Sequence, residues 1–212
     1  MCGISCAFVR SKEHKYWDLL RNSEIRGQDG TGFVVWHKQS HGGYFTVHRS
    51  EKKASEFEGT MPDLKLKDFI VGQNRLAIFG LGSENNQPLV TEKTILVHNG
   101  NLLDFEKTFK KEKLKREYTV DSELILRLWE KYYDIDEVKK RLKGDYACIL
   151  VDRIQSTVKP KKSVYIFTKY KPVYYYKDST GLYFYSTGMI GKKTFGVEGT
   201  PLKNGEVIIK NL

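Results

Sequence analysis

A cysteine stands at position 2, directly after Met1. A residue this small normally allows the initiator methionine to be removed, which leaves one amino acid owning both a thiol and an α-amine. That amine has a reference pKa of about 7.7 to 8.0, so near neutral pH it can take the thiol proton and later hand it to a leaving amine. Nucleophile and base are then the same residue. The structural alternative is a small apolar residue opening a buried strand. Position alone leaves both open. The remaining chemistry-bearing residues point away from metals and cofactors. Cys2, Cys6 and Cys148 are an odd number without metal-ligand spacing, and are expected to be free thiols. His14, His37, His41, His48 and His98 show no metal spacing and no pairing with a cysteine, and are read as structural or exposed. Gly80-Leu81-Gly82 is too short for a phosphate-binding fingerprint and lacks a strand–turn–helix context.

For Cys2 to act, the chain around it must hold it in place. Residues Cys2 to Val9 alternate small and apolar types as a strand does, which would pin the terminus inside the fold. A helix is expected from Lys12 to Ile25, with Tyr16, Leu19 and Leu20 on one face, followed by a glycine-rich loop, Arg26 to Gly32. Strand-like runs recur at Gly32–His37, Tyr44–His48, Phe69–Ala77, Thr94–His98, Asp145–Asp152, Ser163–Thr168, Pro172–Lys177, Leu182–Ser186 and Glu206–Lys210. Helices fit Leu103–Lys111, Asp121–Tyr133 and Ile135–Leu142. Two blocks of strands around a helical middle predict an α+β domain of two sheets with helices outside. The tyrosines and phenylalanines of 174–176 and 183–185 read as sheet core and cross-strand pairs.

The 212 residues, 40% apolar, suit a single domain over 1–212 with no fused synthase domain. No apolar run reaches the length of a membrane helix and the N-terminus lacks signal-peptide order, so a cytoplasmic protein is expected. The net charge of +10 gathers in Lys107–Arg116 and Lys159–Lys162. Such runs are mostly solvated helix face or loop; an acidic partner protein suits them at least as well as nucleic acid.

Five segments decide between the readings of Cys2. Met1-Cys2-Gly3-Ile4, Arg26-Gly27-Gln28-Asp29-Gly30-Thr31-Gly32, Gly72-Gln73-Asn74-Arg75-Leu76-Ala77 followed by Asn86-Gln87-Pro88, His98-Asn99-Gly100-Asn101-Leu102, and Asp121-Ser122-Glu123 resemble the ordered motifs of class II glutamine amidotransferases. The similarity continues in Gly144-Asp145-Tyr146-Ala147, Ser186-Thr187-Gly188 and Leu202–Val207. That family includes the glutaminase domains of amidophosphoribosyltransferase, glucosamine-6-phosphate synthase, asparagine synthetase and glutamate synthase. The resemblance implies the four-layer αββα sandwich of N-terminal nucleophile hydrolases, with two antiparallel sheets, and no cofactor.

It also implies roles. Cys2 attacks the carboxamide of L-glutamine. Asn99 and Gly100 form the oxyanion hole, although an Asn-Gly pair is by itself more often a turn after a strand. Arg75 clamps the α-carboxylate with its planar fork. Asp121, with the Gly100 carbonyl, takes the α-ammonium, and is also a natural helix N-cap. Arg26 and Asp29 order the loop beside the nucleophile. Two departures stand out: Gln73 and Ile78 occupy places where the family often has His and Thr. Ile78, counted with the substrate-binding set, resembles the asparagine synthetase branch, where backbone groups hold more of the carboxylate. Thr168–Pro172 lacks the arginine that often precedes the later proline. The ammonia would pass to a separate synthase or transferase. The alternatives are an amidohydrolase of the same fold acting on γ-glutamyl compounds, or a catalytically silent basic binding subunit.

Overall fold

The computed structural model describes residues 1–40, 42–57, 61–77, 85–153 and 162–212. Ile78, Gly80-Leu81-Gly82, His41 and most of Lys159–Lys162 lie outside the described residues. Strands β1 (Gly3–Val9), β2 (Gly30–Gln39), β3 (Gly42–Ser50) and β4 (Phe69–Arg75) precede β5 (Leu89–Val90) and β6 (Thr94–Leu102). Then follow β7 (Gly144–Asp152), β8 (Ser163–Lys169), β9 (Tyr174–Lys177), β10 (Gly181–Tyr185), β11 (Thr200–Pro201) and β12 (Val207–Asn211). The helices are α1 (Tyr16–Asn22), α2 (Phe105–Glu112), α3 (Glu123–Tyr132), α4 (Ile135–Arg141) and α5 (Gly188–Phe195). Among the described residues these strands form two antiparallel sheets, one of seven strands in the order β11-β9-β10-β1-β4-β2-β3 and one of five, β12-β8-β7-β6-β5.

Side-chain alternation sorts each strand between two cores. In β1, Ile4 and Cys6 enter the core between the sheets, whereas Ala7 and Val9 pack with Tyr16, Leu19, Leu20 and Ile190 under α1 and α5. In β6, Ile95 and Val97 face the other sheet, while Leu96 and Leu102 pack with Leu124, Leu128 and Trp129 of α3. Both faces of both sheets are therefore covered, giving the helix–sheet–sheet–helix layering expected. The aromatic run pairs across strands as read, Tyr183 with Tyr176 and Tyr185 with Tyr174.

Several boundaries differ from expectation, each for a local reason. The first helix covers only Tyr16–Asn22 and tightens into a 3-10 turn, Ser23–Arg26, where the Ser23 hydroxyl donates back to the Leu19 carbonyl. Helix α5 escapes the pattern because its glycines, Gly188 and Gly191, lower helix propensity. A Cβ on Gly191 would stand 2.6 Å from the Glu198 carbonyl and 2.5 Å from the Tyr185 hydroxyl, so close packing requires that glycine. The alternative of a turn at Asn99-Gly100 is corrected: β6 runs straight through both residues, paired with Ala147 and Tyr146 of β7.

Candidate active site

Strand parity brings the N-terminus and β6 to one place. Cys2, two residues before Ile4, belongs to the inter-sheet side of β1; Arg75 shares that side of β4 with Val71 and Gln73; Asn99 shares that side of β6 with Ile95 and Val97. A cavity of about 400 Å³ opens there, lined among others by Cys2, Arg75, Asn99, Gly100 and Asp121. Five of the eight residues singled out from sequence thus meet at one cavity. Arg26 and Asp29 sit behind it, lining a neighbouring depression with Met1 and Leu76.

The nucleophile side is fixed through main chain. The Cys2 Sγ accepts from the Leu76 backbone N–H at 3.4 Å and lies 3.6 Å from the Leu76 carbonyl oxygen. Burial pushes the Cys2 thiol pKa up, only partly offset by the Leu76 N–H, the chain's terminal ammonium, Arg75 and Arg26. The thiol is therefore protonated at neutral pH and needs a base. Arg26 Nε donates to the Cys2 carbonyl at 3.1 Å, and burial lowers the Arg26 pKa. The Asp29 carboxylate accepts from the Ala77 N–H at 2.8 Å, while the Asp29 N–H donates to the Arg75 carbonyl. Gly27 lets these segments touch: a Cβ there would stand 2.4 Å from the Arg75 carbonyl carbon. Arg75 itself is 6% exposed, and its Nη1 donates to the Asn86 side-chain oxygen at 2.7 Å. Met1, about half exposed, lines the cavity, its sulfur 3.6 Å from Lys171 Nζ.

The opposite side belongs to β6. Along this strand the His98 N–H donates to the Gln87 side-chain oxygen and the Leu102 N–H to the Asp121 carboxylate. Both point away from β7. By the two-residue repeat of an antiparallel strand, the Gly100 N–H and C=O between them face the same way, beyond the short β5 and at the cavity. Asn99 is 1% exposed, and its Nδ2 has no hydrogen-bond partner among the described residues. Such a buried donor is costly unless something fills its place. Asp121 does not cap α3, as its sequence context suggested. Ser122 is the N-cap, and its hydroxyl makes no cap bond because it is held by His98 Nδ1 at 2.8 Å and Gln87 Nε2 at 3.0 Å.

Among the lining residues given no role from sequence are Gln87, His98, Ser122 and Lys171. His98, read from sequence as structural or exposed, is 2% exposed and hydrogen-bonded at the cavity. A polar residue at a buried position of an apolar strand, next to Asn-Gly, was the available signal. Lys171 takes the place of the missing arginine and pairs with Asp145 at 2.6 Å on the rim. Gln73, where the family often has His, ties the two sheets together by donating to the His98 carbonyl at 2.6 Å.

Comparison with known proteins gives a consistent picture. A family model described as a glutamine amidotransferase domain matches residues 73–189. The chain is 25% identical over 192 residues to the 7-cyano-7-deazaguanine synthase of Saccharolobus solfataricus, covering 82% of this chain and 40% of that protein. It is 29% identical to a glutamine--fructose-6-phosphate aminotransferase of Bartonella henselae, covering 71% of this chain and 26% of the relative. The chain thus spans well under half the length of these relatives. The glutamine phosphoribosylpyrophosphate amidotransferase of B. subtilis superimposes over 100% of this chain and 47% of its own, with TM-score 0.75 and 20% identity. An allosteric regulatory enzyme of purine biosynthesis gives a TM-score of 0.77 at 21% identity, over 99% of this chain and 47% of its own. Both share its fold. With a family model matching more than half of its residues, the chain belongs to the glutamine amidotransferase domain family, in the class II branch that uses an N-terminal nucleophile.

Proposed function

We propose that residues 1–212 act as one glutaminase unit that hydrolyses L-glutamine to glutamate and ammonia through Cys2. The observation that carries this reading is the buried Asn99 Nδ2, which has no partner among the described residues, at the same cavity as Cys2, with Arg75 and Asp121 also at its lining. Free glutamine presents a carboxylate, an ammonium and an amide, and these groups answer all three.

Removal of Met1 frees the Cys2 α-amine. That amine takes the thiol proton as the sulfur attacks the carboxamide carbon, which suits a thiol whose pKa burial has raised. The oxygen of the tetrahedral intermediate gains negative charge and accepts from Asn99 Nδ2 and the Gly100 N–H. The intermediate collapses, ammonia leaves with the proton held by the amine, and a γ-glutamyl thioester remains. Water, deprotonated by the same amine, attacks the thioester; glutamate departs and the thiol recovers its proton. Arg75, oriented by Asn86, holds the α-carboxylate, and Asp121 with the Gly100 carbonyl holds the α-ammonium. Arg26 and Asp29 keep the loop beside Cys2 in place, and Ile78 completes the substrate-binding set. The ammonia passes to a synthase or transferase site, a reading supported by relatives named as a synthase and an aminotransferase.

Intact-mass measurement of the purified protein should give the chain without Met1. The glutamine analogue 6-diazo-5-oxo-norleucine should then add covalently to Cys2. Retained Met1, or labelling that persists in Cys2→Ala, overturns the mechanism.

A further inference from the structure

The space between the sheets opens at two ends. Cys2, Arg75 and Asn99 stand at one; the other lies where β2 and β7 finish and β8 begins. Strand alternation points three cations into that second mouth. Lys38 keeps the side of Val34 and Trp36, Arg153 that of Ile149 and Val151, and Lys162 that of Val164 and Ile166. Arg153 and Lys162 lie just beyond β7 and β8, where backbone pairing continues: the Arg153 N–H donates to the Lys93 carbonyl at 2.8 Å and the Leu212 N–H to the Lys162 carbonyl at 2.9 Å. Both side chains cross to aromatic rings of the other sheet. Lys162 Nζ is 4.1 Å from the centre of the Trp36 ring and 5.8 Å from that of Phe45, and Arg153 Cζ is 5.1 Å from that of Phe45.

Contact with a π face fixes where a cation lies but leaves its charge in place. Arg153 is further anchored through Nη1 on the Thr91 carbonyl. Burial lowers the Lys162 pKa, and Arg153 and Lys38 lower it further; at Arg153 burial is opposed by Glu92. Like charges are thus crowded at a partly buried place, where repulsion is felt more than at an open surface. The ring beneath Lys162 adds a donor: Trp36 is 3% exposed, and its Nε1 is buried with no hydrogen-bond partner among the described residues. We propose that this mouth binds a phosphoryl group, with Lys38, Arg153 and Lys162 meeting its charge and Trp36 Nε1 donating to one of its oxygens. A phosphate monoester carries about −1.5 to −2 at neutral pH and offers three strong acceptor oxygens, which suits clustered cations better than one carboxylate does. Two successive phosphates of a nucleic-acid backbone supply as much. The group comes from a free phosphate compound or from such a backbone, and the chemistry at the mouth is the same. The basic run ending at Lys162 then has a role that does not depend on the glutaminase reading.

Isothermal titration of the full chain with pyrophosphate, with an oligouridylate and with an oligoglutamate, all at one ionic strength, tests this. Pyrophosphate or the oligouridylate should bind saturably, and more tightly than the oligoglutamate. Arg153→Gln and Lys162→Gln should each weaken that binding at least about ten-fold, the effect of losing a hydrogen bond between charged groups. Trp36→Phe, which removes the N–H and keeps a ring, should weaken it a few-fold. Lys107→Gln makes the same change of charge on α2, at a side chain 82% exposed, and should alter binding less than about two-fold. Glutamine hydrolysis should be unchanged in Lys162→Gln, at the far end of the sandwich from Cys2. Saturable binding of pyrophosphate points to a free phosphate compound as the source. Binding of the oligouridylate alone, falling steeply with salt, points to a nucleic-acid backbone. The proposal is overturned if neither phosphate probe binds saturably, if the oligoglutamate binds more tightly, or if Lys107→Gln loses as much as Lys162→Gln. Should Arg153→Gln or Lys162→Gln fail to fold, Lys38→Gln, a change at an exposed residue, carries the same comparison, and binding within about two-fold of wild type there overturns the proposal.

Discussion

The two walls of the cavity are built on different principles. On the seven-stranded sheet, Cys2 and its neighbours are held by main-chain groups: the Leu76 N–H at the sulfur, the Cys2 carbonyl at Arg26, the Ala77 N–H at Asp29. On the five-stranded sheet, a ring of bonds through the Gln87, Ser122 and His98 side chains and the His98 N–H holds the rest; it reaches Asp121 through Ser122, and Gln73 of the other sheet ties in at the His98 carbonyl. A nucleophile has to give and regain a proton, and backbone amides steady it without competing for that proton. A binding wall has only to keep its dipoles aimed, and an interlocked buried network does that at little cost in reorganisation.

Substitutions on each wall should separate these principles. Cys2→Ala removes the bond-forming atom and should lower kcat by at least about 10⁴-fold, the scale seen when a nucleophile is deleted, with the glutamine KM little changed in a binding assay. Asn99→Ala, on the opposite wall, should cost about 10² to 10³ in kcat, since its amide acts on charge that exists only in the transition state. If steady-state kinetics show the loss in KM instead, Asn99 is a binding group and the division of labour fails. Gly27→Ala presses a methyl group into the Arg75–Leu76 backbone and should lower kcat/KM about 10- to 10²-fold by displacing the nucleophile's support. Gln73→Leu removes a buried bond between the sheets and strands the His98 carbonyl. Chemical denaturation should show a loss of about 1 to 3 kcal/mol, with kcat within a few-fold of wild type. A large kcat effect there would mean that the network transmits to chemistry as well as to stability.

How much of this is legible in the sequence depends on the kind of contact involved. The layers follow from alternation, because residues such as Ile4 and Val97 declare a buried face by type alone. Cys2, Arg75, Asn99, Gly100 and Asp121 follow from motif order, since each sits in a short run of distinctive residues. What escapes are contacts between residues far apart in the chain. His98 and Ser122 are 24 positions apart, and neither local sequence shows that the serine gives up its capping role for the imidazole. Lys171 and Asp145 form a rim pair that only the fold brings together. Helix α5 is hidden for the opposite reason: a local signal, low propensity at its glycines, is overridden by packing.

Strand β6 pairs with β7 over nine successive residues, from Thr94 opposite Asp152 to Leu102 opposite Gly144. Because adjacent residues face opposite sides, this ladder works as a reading frame for the cavity. Inserting or deleting one residue between Thr94 and His98 would swap the destinations of imidazole and carboxamide, turning Asn99 towards α3 and His98 towards the nucleophile. Composition, charge and hydrophobicity would hardly change, yet both walls would lose their meaning at once. Length variation within this strand should accordingly be far less tolerable than any single side-chain exchange along it.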